Sequence, residues 1–170
     1  SQPVPVQYPK VGEAPSAAKI GVIDLKTKNT KWVALPGRER ENYIPGMQWV
    51  SDDLLMIQQM NRHQNTLTVW TYVPSTGELN KVYTEKEDTY IELNHPDLSA
   101  DSWGSNDLPI IDDGKAFLRM NENDAWRHIY KLDISTGEKT LITPFDYDVA
   151  SMRTAGKKNV YFIASPNNST

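Results

Sequence analysis

The chain has 170 residues, 38% of them apolar and 24% charged, and carries a net charge of −4. That length suits one domain with its own core, and the lack of a basic excess argues against a nucleic-acid partner. There is no cysteine, which excludes a disulfide framework and a thiol nucleophile, and no apolar run reaches the roughly 20 residues that a membrane-crossing helix needs.

Residues 1–18, "SQPVPVQYPKVGEAPSAA", hold Pro3, Pro5, Pro9 and Pro15 and read as an extended surface arm, because proline cannot donate to a central strand. Residues 19–35, "KIGVIDLKTKNTKWVAL", read as a hairpin around a polar turn. Four strands are then predicted between residues 43 and 85: Tyr43–Val50, Leu54–Asn61, Thr66–Val73 and Leu79–Glu85. A long irregular linker, Lys86–Asn106, follows. The pattern restarts between residues 107 and 145 with Asp107–Asp112, Ala116–Asn123, Arg127–Ile134 and Lys139–Phe145. Tyr147–Ala155 and Asn159–Ser165 make a last hairpin over 147–165. No long segment has the 3.6-residue apolar period of a helix, and five Trp and eight Tyr favour strands. The expected fold class is all-β.

The turn "STGE" occurs at Ser75–Glu78 and again at Ser135–Glu138, and Thr27, Thr76 and Thr136 hold equivalent places in three hairpins. Their separations are 49 and 60 residues. A four-strand unit recurring at about this spacing is the mark of a β-propeller, whose blades are four-stranded antiparallel sheets. The turn is then a blade repeat rather than a catalytic motif. Two complete blades with a half blade at each end do not close a circle. The sequence therefore reads as a piece of a larger propeller, with a β-sandwich as the structural alternative. Its two unpaired sheet edges predict association, including a homodimer.

"YPKVGEAPSAAKIGVIDL", "YIPGMQW", "MIQQMNRHQNTLTVW" and "AFLRMNENDAWRHIYKLD" occur in an order that resembles the N-terminal propeller of the dipeptidyl peptidase IV family, in the prolyl oligopeptidase clan. The resemblance covers nearly the whole chain, and Tyr90–Asn106 matches no family pattern. It implies an eight-bladed propeller followed by a C-terminal α/β-hydrolase domain. It also implies release of N-terminal dipeptides with proline or alanine second, and a periplasmic or extracellular place. The family's Ser-Asp-His triad is absent, since no G-x-S-x-G elbow occurs. Its amine-holding glutamate pair belongs to a segment before the "YPK" arm and is carried onto no glutamate of this sequence. No catalytic residue, metal ligand or cofactor is therefore assigned, and the chain alone is expected to be inactive. In the parent it would be scaffold, partnered by the hydrolase domain and by peptide. The reading from a different class is a non-catalytic propeller-type binding module.

Individual side chains add little chemistry. His63, His95 and His128 lack metal-ligand spacing, and Arg127–His128 reads as a strand pair that packs or bonds between strands. Arg62 and Asn65 are expected to satisfy the polar corner "NRHQN". The acids of "SDD", "DDG" and "NEND" read as turn chemistry. Trp103, in "SADSWGSND", is the one candidate contact for substrate or partner, because an aromatic in an irregular connection often binds. Asn167 and Asn168 fit the glycosylation pattern.

Overall fold

The computed structural model describes residues 10–93, 106–156 and 159–166. Among these residues twelve strands form four antiparallel sheets in chain order. Strands β1 (Gly21–Ile23) and β2 (Thr30–Trp32) make the first hairpin. Strands β3 (Asn42–Ser51), β4 (Leu54–Asn61), β5 (Thr66–Val73) and β6 (Glu78–Lys86) make the second sheet. Strands β7 (Ile110–Ile111), β8 (Ala116–Asn121), β9 (His128–Asp133) and β10 (Lys139–Leu141) make the third. Strands β11 (Val149–Ala155) and β12 (Val160–Ala164) close the series. Within each sheet the strands pair in sequence order, which short polar turns allow. Among the described residues no helix is long and apolar enough to cross a membrane.

Three predicted strands are shorter than expected, each for a local reason. Pro109 has no N–H to give, so β7 is confined to Ile110–Ile111. Strand β8 stops at Asn121, whose side-chain oxygen accepts the Asn123 N–H. Beyond β10 the Thr143 hydroxyl oxygen takes the Ile129 N–H at 2.9 Å in place of a ladder carbonyl, and Pro144 follows.

The sheets stack face to face through three apolar clusters. Ile20 and Val33 of the first hairpin pack on Leu55, Ile57 and Tyr72. Met56 and Val69 meet Phe117, Tyr130 and Leu132 across the two four-stranded sheets. Leu118, Met120 and Ile129 meet Val149, Met152 and Val160 of the last hairpin. Strand β8 is buried on both faces, and successive side chains feed alternate clusters. Each large apolar side chain buried this way contributes roughly 1.5–3 kcal/mol. Strand β3 differs: Met47 and Trp49, opposite Ile57 and Leu55 on the face where the first hairpin packs, stand 55% and 53% exposed.

The three predicted turn equivalents superpose in their bonding. Gly77 and Gly137 donate to the carbonyls of Val73 and Asp133, at 2.7 and 2.9 Å, and Lys28 donates to that of Asp24 at 2.7 Å. All three have positive φ: 81°, 72° and 59°. The Thr27, Thr76 and Thr136 hydroxyls each accept the N–H two residues on.

Candidate functional site

A polar cleft of about 140 Å³ opens where β6 runs out and the β8–β9 turn begins. Glu85, Glu87 and Glu92 line one side, and Asn121, Glu122 and Arg127 the other. Beneath it Arg119, from the middle of β8, is buried. Its Nε donates to Glu85 Oε2 at 3.0 Å and its Nη2 to Glu85 Oε1 at 3.3 Å and to the Glu92 carbonyl at 2.7 Å. A two-pronged guanidinium–carboxylate pair is strong and directional. It ties the third sheet to the second, and losing either buried partner costs about 3–5 kcal/mol. Above it Arg127 Nη2 pairs with Glu92 Oε2 at 3.0 Å.

The far wall is built around the β8–β9 turn. Buried His128 has Nδ1 2.9 Å from Asp124 Oδ2 and Nε2 2.8 Å from the Phe145 carbonyl oxygen. Tyr130 donates its hydroxyl to the same Asp124 oxygen at 2.8 Å. Burial pushes the Asp124 carboxyl up, but the hydrogen bonds from His128 and Tyr130 outweigh it and leave the group below its ordinary value. Burial, then the bond to Asp124, pushes Tyr130 up to about 12. Burial and the Glu85 charge likewise raise Tyr83, whose hydroxyl lies 3.3 Å from Asn121 Nδ2.

A cleft this small is below the roughly 300 Å³ of an ordinary small-molecule pocket. Its carboxylates and carbonyls accept hydrogen bonds, so it suits donors such as main-chain N–H groups. Among the described residues no three His, Asp or Glu side chains converge as metal ligands. The arrangement positions and holds.

Trp103 lies outside the described residues, as do His95, Asn167 and Asn168. His63 is exposed in the β4–β5 turn, away from the cleft lining. His128 opens β9 while Arg127 lies just before it, and both bond to segments outside the strands, Arg127 to Glu92 and His128 to the Phe145 carbonyl. The polar corner after β4 is closed by Asn61 together with Asn65: the Asn61 side-chain oxygen takes the N–H groups of Asn65 and Thr66, both at 3.0 Å, and its amide donates to Asn65 Oδ1 at 2.8 Å. Of the turn acids, Asp53 bonds Ser75, Asp112 pairs with Lys131, and Asp124 holds His128 and Tyr130. The Arg119–Glu85 pair escaped the sequence reading. An arginine inside the apolar run "AFLRMN" was the signal, since a charge in a buried strand demands a partner.

Comparison with known proteins fits these sheets to a family. The family described as "Dipeptidyl peptidase IV (DPP IV) N-terminal region" matches residues 1–170. The chain belongs to that family. Dipeptidyl peptidase 4 of Sus scrofa is 22% identical over 177 residues, covering 95% of this chain and 22% of the relative. Inactive dipeptidyl peptidase 10 of Rattus norvegicus is 30% identical over 171 residues, covering 93% of this chain and 20% of the relative. The crystal structure of Porphyromonas gingivalis dipeptidyl peptidase 4 superposes with a TM-score of 0.76 at 25% identity, over 93% of this chain and 21% of that one. The chain thus spans about a fifth of the length of the dipeptidyl peptidase relatives it matches. The all-β reading and the likeness to dipeptidyl peptidase IV both hold.

Proposed function

We propose that this chain is a stretch of propeller wall from a dipeptidyl peptidase IV-like serine exopeptidase. Residues 43–85 and 107–145 are two blades, 19–35 and 147–165 are halves of their neighbours, and residues 1–18 are an arm. The observation that carries the reading is the run of face-packed antiparallel sheets, with two, four, four and two strands, in a chain of this family. In the parent the role is scaffold and size gate. The wall admits extended peptides to a C-terminal α/β-hydrolase domain, which releases N-terminal dipeptides with proline or alanine second, in the periplasm or outside the cell. Trp103 is the proposed peptide contact. The bare face of β3, with Met47 and Trp49 exposed, supports further strands or a second copy packing there.

One observation favours a non-catalytic binding module instead. The inactive relative is 30% identical, against 22% for the porcine peptidase. Intact mass and peptide mapping of the native protein separate the two readings. A G-x-S-x-G elbow downstream of the last blade supports the exopeptidase; a hydrolase domain whose elbow lacks the serine, or no such domain, supports the binding module. In an active parent, Trp103→Ala raises the KM for peptide; an unchanged KM removes Trp103 from the contact.

A further inference from the structure

The turn between β7 and β8, "DDGK", holds the one Asp-Gly step in the chain, and no asparagine precedes a glycine. Asp112 and Asp113 stand at φ 52° and 53°, the one adjacent pair of non-glycine residues at positive φ among the described residues, and Gly114 follows at 87°. The Lys115 N–H donates to the Asp112 carbonyl at 3.2 Å and closes a four-residue turn. With ψ at 43°, Asp113 has the dihedral angles that open a type I′ turn, and the glycine φ fits its second place.

This geometry brings Asp113 close to a reaction of its own main chain. The Gly114 nitrogen has no side chain beside it, so it can approach the carboxyl carbon of the residue before it. Closing a five-membered ring between that nitrogen and Asp113 Cγ requires the peptide nitrogen to eclipse Cβ. For an L-residue that means ψ of about −120°, the value at the same place of a type II′ turn. Types I′ and II′ share the positive φ at that place, and Asp113 already has it. What remains is rotation of one peptide plane, which takes Gly114 from φ 87° to about −80°. Glycine adopts either sign. The surroundings leave room. Both aspartates are exposed, and a carbon built on Gly114 would lie no closer than 3.4 Å to Val50. The flanks are held meanwhile, because Lys131 pairs with Asp112 and Ile111 pairs with Ala116 across the ladder.

We propose that Asp113 is a site of isoaspartate formation in the folded protein, through a succinimide closed on Gly114. The Gly114 nitrogen attacks Cγ of the neutral carboxyl, and an N–Cγ bond forms. The nitrogen gives up its hydrogen and the carboxyl its hydroxyl, which leave together as water. A second water opens the ring. Breaking the N–Cγ bond restores aspartate. Breaking the bond from the nitrogen to the main-chain carbonyl carbon leaves the chain running through Cγ and frees the α-carboxylate. Water is the only co-reactant, and the charge is unchanged. The main chain of the turn becomes one atom longer, and β7, with two ladder pairs, is the strand that carries the change.

The test incubates the full-length protein in mildly acidic buffer beside a synthetic peptide of residues 108–118. Digestion and electron-transfer fragmentation locate isoaspartate, and methyl transfer by an L-isoaspartyl methyltransferase counts it. Isoaspartate is expected at 113 in folded protein, at a rate above or within about tenfold of the peptide's. In heavy-oxygen water the product is expected to carry the label, because ring opening supplies one oxygen. Absence of isoaspartate at 113 or an unlabelled product overturns the proposal. So does a rate more than about tenfold below the peptide's, an added barrier of about 1.4 kcal/mol, because the fold would then lock the peptide plane. No variant is needed, so a failure to fold cannot blur the result.

Discussion

The two "STGE" turns are identical in sequence and nearly so in backbone, yet they are held and used differently. In the second, Asp133 opens the turn and its Oδ1 accepts the N–H groups of Ser135 and Thr136 at 2.9 and 2.8 Å. Asp24 does the same for Lys26 and Thr27 in the first hairpin. In the first "STGE" that place is Val73, and the carboxylate comes from Asp53 in the β3–β4 turn, which takes the Ser75 N–H at 3.0 Å. The glycines diverge further. A side chain at Gly77 would meet nothing within 4 Å, whereas one at Gly137 would lie 2.2 Å from the Val82 carbonyl of β6. One glycine serves only its own dihedral angle; the other also lets two sheets approach. A repeated motif therefore reports the repeated backbone, not the repeated role.

Substitutions can break this comparison. The largest effect is expected at Gly137→Ala, which adds the left-handed cost to an overlap with main-chain oxygen, together on the order of 3 kcal/mol or more. Urea unfolding measures it, and a loss no greater than that at the sister turn defeats the distinction. Gly77→Ala pays only the conformational term, about 1–2 kcal/mol. Lys28 already holds the same left-handed place without glycine. Lys28→Gly is expected to stabilise by a few tenths up to about 1 kcal/mol, because the gain in φ freedom exceeds the added entropy of the unfolded chain; a lowered Tm would contradict this. The smallest effect is in acid. The bonds from Ser135 and Thr136 hold Asp133 at about 2, so its contribution is complete above the ordinary 3.8 and disappears as pH falls through about 2. Asp133→Asn should flatten that part of the acid limb of the stability profile, and an unchanged limb would show that the bonds carry no net stability.

Most strands were legible because alternation and turn residues are local signals. Leu54–Asn61 and Thr66–Val73 fall where the sequence set them, bounded by Asp, Asn, Pro and Gly. The shortened ends of β8 and β10 were not legible, because side chains replace ladder partners there. The cleft was hidden for a similar reason. Glu85 and Arg119 are 34 residues apart, and no spacing rule joins a carboxylate at one strand end to an arginine in the middle of another. His128 was placed correctly in a strand, but its two acceptors lie 4 and 17 residues away in opposite directions. A reader of sequence sees one histidine; only the fold shows what meets each of its nitrogens.

The stretch between β6 and β7 is pinned at both ends. Ile91 is buried against Met60 and Leu67, and its N–H donates to the Gln64 carbonyl at 2.8 Å. On the far side Gln48 both donates to the Leu108 carbonyl and accepts its N–H, at 2.8 and 2.6 Å, and Gln58 donates to the Asn106 carbonyl at 2.5 Å. Both posts rest on one sheet: Gln48, Gln58, Met60, Gln64 and Leu67 all belong to β3, β4, β5 or the turns that join them, so a single frame fixes where the chain leaves β6 and where it enters β7.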